Sequence, residues 1–126
     1  MPEPGWLKRW HDRRRLWAWL AGAATLVVAW GSLMPSGELP ESLPWDKASH
    51  FLGYAGVAGL TGLAGVRLPL AFAAACLLGL AIELAQIPVP GRFGGDAADL
   101  LANVLGAACA VLALAGVRRG CLRERP

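Results

Sequence analysis

Apolar residues fall into four long runs, 16–34, 48–66, 68–87 and 97–117, separated by short stretches where charge, proline and glycine concentrate. Each run has about 19 to 21 residues, the length at which a helix crosses a hydrocarbon core of about 30 Å. The pattern predicts an all-α, polytopic membrane protein, a four-transmembrane-helix bundle. Trp17, Trp19 and Trp30 sit toward the ends of the first run, as an aromatic belt would. A secretory signal peptide has the same basic-then-apolar order, but its apolar core is shorter and ends in a small-x-small cleavage site. Here Met34-Pro35-Ser36-Gly37 follows a longer run, so an uncleaved anchor is expected.

The connections sharpen this picture. Residues 35–45 hold three prolines, Gly37, Glu38 and Glu41, and read as a loop. In the second run Gly53, Gly56, Gly59, Gly62 and Gly65 recur every third residue. Such a run costs nearly 1 kcal/mol per glycine in a water-exposed helix, whereas in a membrane it lets neighbouring backbones approach. This helix is expected to be central. Arg67 and Pro69 leave room only for a short turn, so the second and third runs should be antiparallel neighbours. Residues 88–95, with two prolines and three glycines, cannot continue a helix. Asp96 is placed to cap the fourth helix, with Asp99 three residues on in a capping-box-like arrangement.

Composition agrees with a membrane location: 56% of residues are hydrophobic and 17% charged, and the mean hydropathy is +0.46. The chain divides into a basic lead-in (1–15), a membrane domain (16–117) and a basic tail (118–126). A net charge of +3 and a pI near 9.1 would suit nucleic acid, yet the basic residues flank the apolar runs. Lys8, Arg9 and Arg13 to Arg15 in the lead-in, interleaved with Trp6 and Trp10, suit an interface-hugging segment. Four crossings would put ten of the twelve Lys/Arg on one side, which by the positive-inside rule places both termini in the cytoplasm. The expected surroundings are the lipid bilayer, with no nucleic-acid partner and oligomerisation left open. Cys76, Cys109 and Cys121 form no C-x-x-C and no metal spacing, and a lone histidine in the membrane domain is a poor metal site, so no metal or cofactor is expected.

The candidate chemistry lies at one membrane level. Asp46, Lys47 and His50 open the second helix, Glu83 and Gln86 close the third, Arg92 lies in the following loop, and Asp99 and Asn103 open the fourth. At about 1.5 Å per residue, His50, Glu83 and Asn103 would lie roughly 5 to 10 Å below the outer helix ends. Asp46 and His50 share a face, as do Lys47, His50 and Tyr54. Glu83 continues the face of Ala75 and Gly79, and Asp99-Asn103-Gly106-Ala110-Ala113 is expected to form one inward face, polar at its top and small below. A shallow ligand pocket of Asp46, Lys47, His50, Tyr54, Glu83, Gln86, Arg92, Asp99 and Asn103 is predicted, because ionisable groups in a membrane are costly to keep without a use. Plainer readings stand beside it: Glu83 paired with Arg92 or His50 as structural glue, Lys47 snorkelling to the interface, Asp96 only a cap, Tyr54 packed on glycines, and His50 a satisfied buried histidine.

The pattern Asp46-Lys47-x-x-His50-Phe51-x-x-Tyr54, Glu83-x-x-Gln86, Pro90-Gly91-Arg92 and Asp99-x-x-x-Asn103-x-x-Gly106 resembles the VanZ-like family of small bacterial membrane proteins over about residues 44–116. The interval from Arg92 to Asp99 is one residue longer than the family form, at Gly94-Gly95-Asp96. The resemblance implies a multi-pass protein of the bacterial cytoplasmic membrane, in a family whose founding member is associated with low-level teicoplanin resistance. It supplies no mechanism.

Several functions fit these residues. The pocket could bind an anionic, lipid-linked envelope molecule, with Lys47, His50 and Arg92 as head-group contacts oriented by Glu83, Asp99 and Asn103. An enzyme acting on a phosphate- or acyl-containing lipid could use His50 with Glu83 or Asp99 as acid and base. No nucleophile is evident, since Ser49 points about 100° away from His50 around the helix, and no catalytic residue is assigned. Transport is disfavoured by the lack of ionisable residues in the cytoplasmic halves of the runs. A structural partner for another membrane protein has only the glycine ladder behind it.

Overall fold

The computed structural model describes residues 5–35, 37, 46–92 and 94–121. The described chain is all-helical, with α1 (Gly5–His11), α2 (Arg14–Leu33), α3 (Asp46–Leu63), α4 (Leu68–Gln86) and α5 (Ala97–Gly120). Among the described residues three helices, α2, α4 and α5, are long and apolar enough to cross a membrane. They coincide with the first, third and fourth apolar runs. The second run is the exception: α3 opens on Asp46, Lys47 and His50, ends at Leu63, and does not share that apolar character. The loop expected over 35–45, apart from Pro35 and Gly37, lies outside the described residues, as do the tail from 122 onward and the Asp46 side chain.

The outward surface is what a bilayer requires. Leu26, Val27, Trp30, Leu77, Leu101 and Leu112 are exposed on three different helices, the three that are long and apolar enough to cross a membrane. The core is small and built from α3, α4 and α5 around Tyr54, Val57, Ala58, Ala75 and Ala107.

α3 touches α2, α4 and α5, with its most extensive packing against α5. Its glycine ladder explains how one helix serves three neighbours. Each three-residue step turns about 60° back around the helix, so a Cβ added at Gly53 would meet Val28 of α2, at Gly59 Ala110 of α5, and at Gly62 both Leu68 of α4 and Leu114 of α5. The closest approach is supplied by α5: a Cβ on Gly106 would fall on the Phe51 carbonyl of α3. After α3 the chain reverses through Ala64 and Gly65, whose φ of 106° lies in the left-handed region that glycine adopts freely.

The buried residues of α4 and α5 follow from helical spacing. On α4 they are Ala71, Ala75, Gly79, Ile82, Glu83 and Gln86; on α5 they are Asp99, Asn103, Gly106 and Ala107. The α5 face expected to continue to Ala113 does not, because Ala113 is exposed. A repeat of alternating four- and three-residue steps drifts about 20° per heptad around a straight helix, and two heptads carry the stripe off the interface.

The end of the bundle opposite the polar residues is held by base-to-carbonyl contacts. Arg118 donates to the Gly62 carbonyl at 2.9 Å and its Nε meets His11 Nε2 at 3.0 Å, so α1 and the last turn of α5 meet. The lead-in is tied back by Trp17 Nε1 donating to the Trp10 carbonyl at 2.8 Å, with the Arg13 guanidinium over the Trp10 ring.

Candidate functional site

At the polar end the starts of α3 and α5 and the end of α4 bring their charged residues together. Lys47, in the first turn of α3, donates to both Asp99 of α5 and Asp96, the latter at 3.3 Å. One turn deeper His50 Nδ1 lies 2.8 Å from Asn103 Oδ1 and its Nε2 lies 3.6 Å from Asp99 Oδ2. An amide oxygen only accepts, so in this contact His50 Nδ1 donates to Asn103. The Tyr54 ring stacks on the His50 ring with centroids 6.4 Å apart.

Glu83 reaches this cluster from α4 and is 1% exposed. Its Oε2 accepts from the backbone N–H groups of Gly95 and Asp96 at 2.9 and 3.2 Å. Gly95 has φ 79°, and two successive amides presented from a left-handed residue form an anion-binding nest. Gly94 is required for this approach, since a Cβ there would lie 2.5 Å from the Glu83 carbonyl and 2.7 Å from the Ile87 nitrogen. The Gly94-Gly95-Asp96 stretch is therefore the part of the loop that grips Glu83.

Asp96 caps α5 by accepting from Ala98 N at 2.8 Å. That backbone bond, followed by Lys47, holds its carboxyl below the usual carboxylate range. The capping box expected with Asp99 does not form. The Asp96 N–H is taken by Glu83, and the Asp99 carboxylate turns to Lys47 and His50.

Gln86 and Arg92 stand apart from the cluster. Gln86 Nε2 donates to the Ser32 carbonyl at 2.8 Å, and Arg92 donates to the carbonyls of Met34 and Gly31 at 2.9 and 2.6 Å. Both secure the end of α2, whose last carbonyls have no intrahelical donors, and a cation at a helix C-terminus is favourable. The structure thus brings together Lys47, His50, Tyr54, Glu83, Asp99 and Asn103, assigns Gln86 and Arg92 to α2, and leaves the Asp46 side chain outside what is described. Gly94, Gly95 and the Asp96 amide belong to the site although no side-chain chemistry announced them. A glycine pair just before a helix cap was the available signal.

Three buried polar atoms have no hydrogen-bond partner among the described residues: Tyr54 Oη, Glu83 Oε1 and Asn103 Nδ2. Leaving such atoms unpaired costs about 1–3 kcal/mol each, and they concentrate at this site. An apolar groove between the start of α4 (Leu68, Phe72) and the end of α5 (Leu112, Ala115) lies at the other end of the bundle and contributes nothing to the cluster.

Fold and site define an all-helical membrane protein with a buried, mixed-sign polar site at one end. No family model matches the chain, and neither a curated protein nor a solved structure shows detectable similarity to it.

Proposed function

We propose that the protein is a four-span, VanZ-like protein of the bacterial cytoplasmic membrane, with both termini in the cytoplasm. In this reading the polar end faces outward and binds the anionic head group of a lipid-linked envelope molecule, and through it the protein bears on glycopeptide susceptibility. One observation carries the reading: charged and polar residues from α3, α4 and α5 converge at a single depth, with buried polar atoms still unpaired. A cluster kept only for stability would pair them.

Head-group contact falls on the α3–α5 side of the site, because Arg92 is engaged by α2 carbonyls. The test is retention of phosphate-bearing envelope lipids over neutral lipids by purified protein in nanodiscs, together with teicoplanin susceptibility of a strain that depends on the protein. His50→Ala should lose lipid selectivity and change susceptibility. Equal retention of both lipid classes by the unsubstituted protein would overturn the reading.

A second reading, an enzyme acting on such a lipid, is favoured by the closeness of His50 to two carboxylates. It requires turnover of a lipid panel by purified protein, abolished by Glu83→Gln.

A further inference from the structure

His50, Glu83 and Asp99 each present one potential ligand atom, and these atoms all lie within 4.8 Å of one another. They come from three different helices. Polar atoms of all three residues are held in place: His50 Nδ1 by Asn103, Glu83 Oε2 by the amides of Gly95 and Asp96, and Asp99 Oδ1 by Lys47. This is the outer-sphere arrangement that orients metal ligands, in which a ligating imidazole gives its second N–H to an oxygen and ligating carboxylates are themselves hydrogen-bonded.

What fills the middle is decided by Glu83. Its Oε1 is buried with no hydrogen-bond partner among the described residues, and Glu83 is 1% exposed. A metal ion between the three satisfies all of them at once.

We propose that His50 Nε2, Glu83 Oε1 and Asp99 Oδ2 bind one divalent first-row metal ion, Zn²⁺ or Mn²⁺. One imidazole nitrogen with two carboxylate oxygens suits these borderline-to-hard ions. Three ligands on a tetrahedral ion with bonds of about 2.0–2.1 Å lie about 3.3 Å apart, so the triangle closes by side-chain rotation on binding. Three protein ligands leave a position open for water or a phosphate oxygen. The metal site goes beyond the head-group reading and stands without it; where both hold, the ion is the positive charge that a phosphate meets.

The test uses full-length, tag-free protein in detergent, stripped with chelator and free of envelope lipids, titrated with Zn²⁺ or Mn²⁺ alone. One ion per chain should bind. Glu83→Gln keeps an acceptor for the Gly95 and Asp96 amides and should lower affinity by more than about 100-fold, as should His50→Gln. Asn103→Ala, which removes only a positioning contact, should cost about 10- to 100-fold. Leu112→Ala, in the apolar groove at the other end of the bundle, should leave binding within about 3-fold of the unsubstituted protein. X-ray absorption on the metal-loaded, unsubstituted protein supplies a readout independent of variant folding: one imidazole with oxygens is expected. No binding at millimolar metal, a folded Glu83→Gln protein that binds as tightly as the original, or a metal shell lacking imidazole would each overturn the proposal.

Discussion

The contact of α5 with α3 at Gly106 makes a demanding prediction, because one added methyl group meets backbone that cannot rotate aside. A Cβ at Gly106 would lie 2.8 Å from the Phe51 carbonyl carbon and 3.0 Å from its Cα, where ordinary carbon contacts begin near about 3.5 Å. The helices must separate by roughly 0.5–1 Å, a gap that forfeits about a quarter to a half of each packing contact along the seam. Overpacking of this kind costs about 1–3 kcal/mol. Alanine also favours the helix over glycine by about 0.8–1.0 kcal/mol, so the measurement needs a reference. Gly116, exposed on the same helix with nothing near its Cβ, provides one. Gly116→Ala should be neutral or stabilising by up to about 1 kcal/mol, and Gly106→Ala should be about 1–3 kcal/mol less stable than Gly116→Ala. Denaturing-detergent titration followed by circular dichroism and tryptophan fluorescence measures both. If the two alanine variants were equally stable, the close α3–α5 seam, and with it the route by which Asn103 reaches His50, would be wrong.

Further outcomes follow from the same geometry. Lys47→Met should destabilise the fold by leaving Asp99 and Asp96 without their ammonium, and adding Asp99→Asn should recover most of the loss in a double-mutant cycle. Arg92→Lys should not rescue the anchoring of α2, because an ammonium cannot span the Gly31 and Met34 carbonyls as the guanidinium does; hydrogen exchange should rise over residues 30–34, with a stability loss of about 1.5–3 kcal/mol. Reporter fusions should give a fluorescent protein domain after Gly120 and an active periplasmic phosphatase in the 88–95 loop, and the reverse pattern would invert the proposed topology.

The site was legible in sequence to the extent that helical spacing carries it. His50, Glu83, Asp99 and Asn103 could be placed at one depth by counting residues from the helix ends, and the buried face of α4 could be read from Ala75, Gly79 and Glu83. Arg92 was expected in the pocket and lies on α2 instead, since a cation in a loop suits a ligand, a carboxylate or a helix end equally well, and its partners are backbone carbonyls that carry no sequence signature. The metal-ligand arrangement was hidden for a related reason. Counting histidines argued against an ion, because the carboxylates that complete the group come from helices 33 and 49 positions further along the chain.

What the sequence determined by itself is therefore the helical, membrane-suited character of the chain, the lengths of its apolar runs and the level of its polar residues. These follow from local periodicity and hydropathy, which need no knowledge of neighbours. Tertiary structure decided which polar atoms meet: Lys47 with Asp99, His50 with Asn103, Glu83 with two loop amides, and Gln86 and Arg92 with the end of α2. Those pairings depend on how each helix is rotated and how near it comes to the next. That is governed by small residues such as Gly106, whose consequence appears only when the facing carbonyl of Phe51 is in place.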